Sequence, residues 1–256
     1  MDMKQEFETV GYVHRHNILN AATIARLRDQ MLTIMQPYCA AGPDGEAPEV
    51  ALDRCFTEIS VQGQDIKSNI YKMFGRLSEL PLLLADEAIK ADVSELGFSA
   101  FTIQAYSVFC LEPGNTHHYF LPHQDLRNRT SLKSLIIWTP LSAGPELGGM
   151  ACWPGSHLAG PMRHGLNERG QLMLPAESYA NFERTALTNY AIGDVIFMNP
   201  YLIHESVVNT GEAIRWTAVV KLDDIESNDH LADNLHPFSI DEYIDSRTNE
   251  QRIFDG

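Results

Sequence analysis

Cysteine is scarce, and what there is stands apart: Cys39, Cys55, Cys110 and Cys152 form no CxxC pair. That spacing fits neither a zinc ribbon nor a disulfide framework, and it predicts reduced thiols in a cytoplasmic protein. No apolar run approaches the ~20 residues of a membrane-spanning helix. The opening Met1-Asp2-Met3-Lys4-Gln5-Glu6-Phe7-Glu8 has no basic region followed by an apolar stretch, so no secretory leader is expected. Basic residues are outnumbered, 19 Lys and Arg against 34 Asp and Glu. The resulting net charge of -15 argues against nucleic acid or an anionic membrane as partner. Internal repeats and low-complexity linkers are lacking too, so residues 1–256 read as one domain.

What is present changes texture near Gly97. Residues 1–97 read as a mainly helical flank. Gly11 to Leu19 suggests a short strand, and Asn20 caps a helix with Ile24, Leu27, Met31 and Ile34 or Met35 on one face. Pro37 ends it, and the Ala/Gly/Pro-rich stretch from Cys39 to Val50 reads as a loop. Two further helices are expected over 64–84 and 82–93, parted near Pro81. Between 98 and 222, strand candidates recur between turn signals: 98–111, 134–141, 150–153, 194–198, 202–208 and 214–222. Many short strands after a helical front predict an all-β core with flanking helices, closed or sandwiched. Residues 160–190 break the rhythm and are expected to cross one mouth of that core. The acidic tail, 223–256, has little periodicity.

The chemistry starts at His123-Gln124-Asp125, the sole His-x-Asp in the chain, where chance alone allows about 0.6. In extended chain, residues two apart face the same way, so an imidazole and a carboxylate can close on one metal ion. Downstream, a two-residue turn at Thr210-Gly211 would set Ser206 opposite Arg215 and His204 opposite Thr217. All four would then share one face, with Val207, Ile214 and Trp216 on the other. A buried guanidinium beside a metal-ligating His calls for an anion, and Arg215 with Ser206 suits a carboxylate. His123, Asp125 and His204 complete the two-histidine, one-carboxylate facial set that typifies non-haem Fe(II) oxygenases.

With these residues, Trp138-Thr139-Pro140-Leu141, Gly148-Gly149-Met150, Pro154-Gly155-Ser156-His157 and Gly193-Asp194, the chain resembles the phytanoyl-CoA dioxygenase family. Arg215 stands eleven residues beyond His204, as in that family. The likeness is strong from His123 to Lys221 and vague over 39–97 and after Asp223. It implies a double-stranded β-helix (jelly-roll, cupin-like) core, with Fe(II) on His123, Asp125 and His204. It also implies 2-oxoglutarate and O2 as cosubstrates, the distal carboxylate of the former on Arg215 and Ser206. Trp138 would line the cofactor pocket and Gln104 would hydrogen-bond the cosubstrate. Asp125 favours hydroxylation, since related halogenases carry Gly or Ala there.

Each reading has a plainer rival. Trp138 as core and Gln104 as an ordinary strand residue are about as credible as their pocket roles. The pair His117-His118 faces two ways on a strand and fits a loop near the mouth better than a second metal. Asp223-Asp224 reads as a solvated face. Arg127, Arg129 and Lys133 follow the metal strand, and Arg127 or Arg129 could hold an anionic group of a small polar substrate; exposed loop cations are the rival reading. The functional expectation is oxidation of a C–H bond of such a metabolite, with succinate and CO2 as co-products. Its alternatives are an acyl-CoA or lipid hydroxylase of the same family, or a jelly-roll metal-binding protein without oxygenase activity. A small-molecule partner and a homodimer are both compatible with the sequence.

Overall fold

A computed structural model describes residues 2–115, 120–126, 131–168 and 170–226. Helix α1 (Met3–Val10) opens on Asp2, whose side chain accepts from the Gln5 amide, and closes on Gly11 at φ 94°. A Cβ at Gly11 would meet His157 Nδ1 at 2.6 Å, so only glycine fits there. Strand β1 (Tyr12–Arg15) leads to α2 (Ala21–Met35), capped by Asn20 as expected. Its buried face is Thr23, Ile24, Leu27, Met31 and Met35.

Helix α3 (Pro48–Gln62) lies partly where a loop was expected. Pro48 reads as a breaker in isolation, yet it stands at the first helical position, where a missing N–H costs nothing. Its buried residues are Leu52, Cys55, Phe56 and Ile59. The expectation of four reduced thiols fails here as well. Cys39 and Cys55 form a disulfide, with Cα atoms 5.2 Å apart. Sixteen residues separate them, and only the return of α3 along α2 brings them together. Cys110 and Cys152 remain free. The two later helices divide into α4 (Gln64–Phe74), α5 (Glu79–Leu82) and α6 (Glu87–Glu95). Pro81 sits inside the short α5, whose first turn tolerates it.

The strands are β2 (Phe101–Leu111), β3 (Ser134–Pro140), β4 (Gly149–Cys152), β5 (Gly165–Leu166) and β6 (Leu172–Met173), then β7 (Thr185–Leu187), β8 (Val195–Met198), β9 (His204–Val207) and β10 (Arg215–Asp224). Five of them form an antiparallel sheet in the order β1-β8-β3-β10-β2, and three form a second, β7-β4-β9. This is the antiparallel jelly-roll core with flanking helices. The segment 160–190 is more than an excursion, since its β7 pairs with β4. Strand β3 is buried along its whole length because both its faces are covered. Leu135 and Ile137 join the helices' cluster with Phe56, Phe74 and Trp216, while Ile136 and Trp138 join Met150, Ile196 and Met198 between the sheets. Trp216 meets Phe56 and Phe74 edge-on, with ring centroids 5.0 and 5.8 Å away.

The expected hairpin between β9 and β10 does not form. β9 pairs with β4, and β10 pairs with β2 and β3. The linking loop is anchored instead of tight. Buried Asn209 donates to the carbonyls of Leu111 and Ala213, and the amides of Thr210 and Gly211 both donate to the Glu146 carbonyl. The chain is thereby carried from one sheet to the other.

Candidate metal centre

His123 and His204 are locked together by the backbone before their side chains meet. The His123 amide donates to the His204 carbonyl (2.9 Å) and the His204 amide to the His123 carbonyl (3.0 Å). This isolated bridge fixes the two rings 4.2 Å apart. Each Nδ1 lies against the carbonyl two residues back, Leu121 for His123 (2.7 Å) and Leu202 for His204 (2.9 Å). A ring that donates from Nδ1 keeps the Nε2 lone pair for a metal. Asp125 is held by its amide on the Pro200 carbonyl, and its Oδ1 lies 3.7 Å from His123 Nε2. One ligand atom from each of the three residues fits within 4.8 Å of the others.

Electrostatics suit the same purpose. Burial, then the neighbouring His204, lowers the His123 imidazole to about 4, and burial likewise lowers His204. Both rings are therefore neutral at pH 7, the state that binds metals. Burial alone would raise the Asp125 carboxyl, but Lys221 and the two imidazoles outweigh it and hold it well below the usual carboxylate range. Two neutral imidazoles and an ionised carboxylate converging on one point fit a divalent iron ion.

Around this point lies a cavity that opens to solvent. His123, Asp125, His204, Ser206, Trp138 and Arg215 all line it. Ser206 and Arg215 thus share a space as the sequence suggests, though from strands of different sheets. Arg215 is 8 % exposed, and its Nη1 donates to the carbonyls of Gly149 and Val207. Trp138 stands edge-on to Tyr190, centroids 5.3 Å apart. Gln104 does not line the cavity. It is the extra residue of a bulge in β2, opposite the step from Lys221 to Leu222. Arg127, Arg129 and the His117-His118 pair lie outside the described residues. So does most of the acidic tail; its first residues, Asp223 and Asp224, close β10 and are fully buried, not solvated.

Two residues went unremarked in the sequence. Lys221 places Nζ 2.7 Å from Asp125 Oδ2 and lines the cavity. Period two along β10 from Arg215, through Thr217 and Val219, could have found it. Gln124, between the two metal-facing residues, is 1 % exposed. Its side chain donates to the carbonyls of Gly160 and Tyr201 and accepts from the Met162 amide. The bonds to Gly160 and Met162 pin the start of the 160–190 segment to the stretch carrying His123 and Asp125, and no local pattern signals them.

A jelly roll with two histidines and an aspartate at one point, and a buried arginine across the same cavity, defines the class of non-haem iron oxygenases that use a 2-oxo acid. The chain belongs to the phytanoyl-CoA dioxygenase (PhyH) family, whose model matches residues 7–217. It is a non-haem Fe(II)/2-oxoglutarate-dependent dioxygenase, with O2 as the other cosubstrate. No curated protein sequence matches it. Among solved structures it is similar to the epimerase SnoN in complex with Fe3+, alpha ketoglutarate and nogalamycin RO. That likeness has 18% identity and a TM-score of 0.59 over 87% of this chain and 82% of SnoN. It is also similar to the non-heme monooxygenase ThoJ (18%, TM-score 0.59, 87% and 77%) and to EctD from S. alaskensis (18%, 0.54, 88% and 77%). At such identities the likeness is one of fold, and a fold hosts many substrates. No helix among the described residues is long and apolar enough to cross a membrane.

Proposed function

We propose that the chain oxidises a C–H bond of a small polar, anionic metabolite, with His123, Asp125 and His204 holding Fe(II). The observation that carries this reading is the sharing of one cavity by that triad and Arg215. Fe(II) held there would activate O2, the oxidant, whose equivalents would be divided between 2-oxoglutarate, leaving as succinate and CO2, and the substrate C–H bond. The protein's part is positional. The carbonyls of Leu121 and Leu202 orient the two imidazoles, and Lys221 holds the Asp125 oxygen farther from His123. Arg215, with Ser206 beside it, takes the distal carboxylate of 2-oxoglutarate, while Trp138, Ile136, Met150, Met198 and Val219 form a wall that limits water around the reacting atoms.

Polarity of the substrate rests on Arg127 and Arg129, which follow His123 and Asp125 in sequence. Lys221 lines the cavity as well, already paired with Asp125. Chemistry of this kind needs only one domain, and we take residues 1–256 to act as one. The test is succinate formation stimulated by a panel of acyl-CoAs, amino acids, phosphonates and sugar derivatives. A charged small metabolite should stimulate most, and Arg127→Ala and Arg129→Ala should raise its KM while that for 2-oxoglutarate stays put. Stimulation by long acyl-CoAs alone would overturn the substrate class.

A further inference from the structure

At the β1 edge of the five-stranded sheet, two more histidines converge on a carboxylate. His14 is the third residue of β1, His16 directly follows the strand, and Asp194 sits in the turn before β8. His14 Nε2 lies 2.9 Å from Asp194 Oδ2, and His16 Nδ1 lies 3.1 Å from the same oxygen. The two rings are 4.1 Å apart. We propose that His14, His16 and Asp194 form a second metal site, a Zn2+ site distinct from the iron centre, with solvent in the remaining position.

Residue type and spacing carry the chemistry. Two imidazoles and a carboxylate are a borderline-soft set suited to zinc, and three protein ligands with one open position is an arrangement zinc takes. Ligands on a tetrahedral zinc, with bonds of about 2.0–2.1 Å, stand about 3.3 Å apart. The contacts at 2.9 and 3.1 Å need only a few tenths of an ångström of opening to admit the ion. All three ligand atoms lie within 4.8 Å of one another.

The carboxylate is prepared for it. The Asn17 amide donates to Oδ1 and the Ala191 amide to Oδ2, fixing the group from both sides. Burial works against its charge, but those amides and the two histidines outweigh it and keep it ionised. Oδ2 is thus approached by three nitrogens at once, those of His14, His16 and the Ala191 amide. Access is open, since the His16 side chain is 70% exposed while Asp194 is 3% exposed. An ion would tie the end of edge strand β1 to the turn that launches β8, the strand it pairs with. Within the described residues, this is the second of two such clusters.

The experiment removes the iron site first. Tag-free Asp125→Ala/His204→Ala protein, stripped with a chelator, is dialysed against micromolar ZnCl2 and its bound zinc is measured. About one equivalent should remain, the three-ligand site being intact. Adding His16→Ala should abolish it while leaving the circular dichroism spectrum unchanged, because His16 is exposed. His14→Gln should abolish it too. No zinc on the double variant, or the same equivalent retained after either histidine is replaced, overturns the proposal. Neither result touches the iron assignment, which the double variant has already removed.

Discussion

Lys221 Nζ and Asp125 Oδ2 lie 2.7 Å apart, so a lysine from the middle of the sheet holds one oxygen of the carboxylate at the metal centre. The other oxygen, Oδ1, is the one nearer His123 Nε2. This pairing leaves Asp125 poised to bind through a single oxygen. Groups that orient a ligand in this way commonly contribute 10–100-fold, order of magnitude, to metal affinity. Lys221→Met should therefore weaken Co(II) binding by about that factor in anaerobic titration, and Lys221→Arg should restore most of it. Unchanged affinity in Lys221→Met would reduce the pair to a packing contact.

Arg215 is expected to govern cosubstrate binding and not iron. Loss of a desolvated charged partner commonly costs about 2–5 kcal/mol, at least a tenfold change in affinity. In Arg215→Ala, the KM for 2-oxoglutarate should rise at least that far, with Fe(II) affinity nearly unchanged. A normal KM would place the anchor elsewhere in the cavity.

The triad itself is tested by iron. Chelated protein titrated anaerobically with Fe(II) and 2-oxoglutarate should develop a weak visible absorption band. Asp125→Ala and His204→Ala, combined, should show none. Iron affinity like that of the intact chain in this variant would rule out His123, Asp125 and His204 as the centre.

Gly148 offers a test of how the second sheet holds Arg215. Its φ is 77°, and a Cβ there would stand 2.4 Å from the Val207 carbonyl oxygen, a backbone atom that cannot rotate away. That oxygen also accepts from Arg215. Gly148→Ala should cost about 1–3 kcal/mol, a strain of the size typical for forced left-handed residues. Thermal denaturation should show a Tm lower by several degrees, together with a raised KM for 2-oxoglutarate. A Tm equal to that of the intact chain would mean the β4–β9 pairing can yield.

The sequence alone determined the residues that meet at the centre and the class of fold around them. Ser206 and His204 alternate on β9, so their common face follows from strand periodicity whatever the partner strand; His123 and Asp125 converge without the expected strand, His123 on an isolated bridge to His204 and Asp125 on the Pro200 carbonyl. Strands β2, β3, β4, β8, β9 and β10 overlap the runs that local patterns mark, and Asn20 caps α2 as they indicate, whereas β5, β6 and β7 lie in residues 160–190, where no strand was expected. Sheet partners were decided by the tertiary structure. β9 and β10 adjoin in sequence, yet Asn209 and Glu146 anchor the loop between them and send them to opposite sheets. The same long-range packing decided the Lys221–Asp125 pair, the bulge at Gln104, and the Cys39–Cys55 disulfide. Each depends on groups from 16 to 119 residues apart. Local periodicity says which way a side chain faces, and only the closed core says what it finds there.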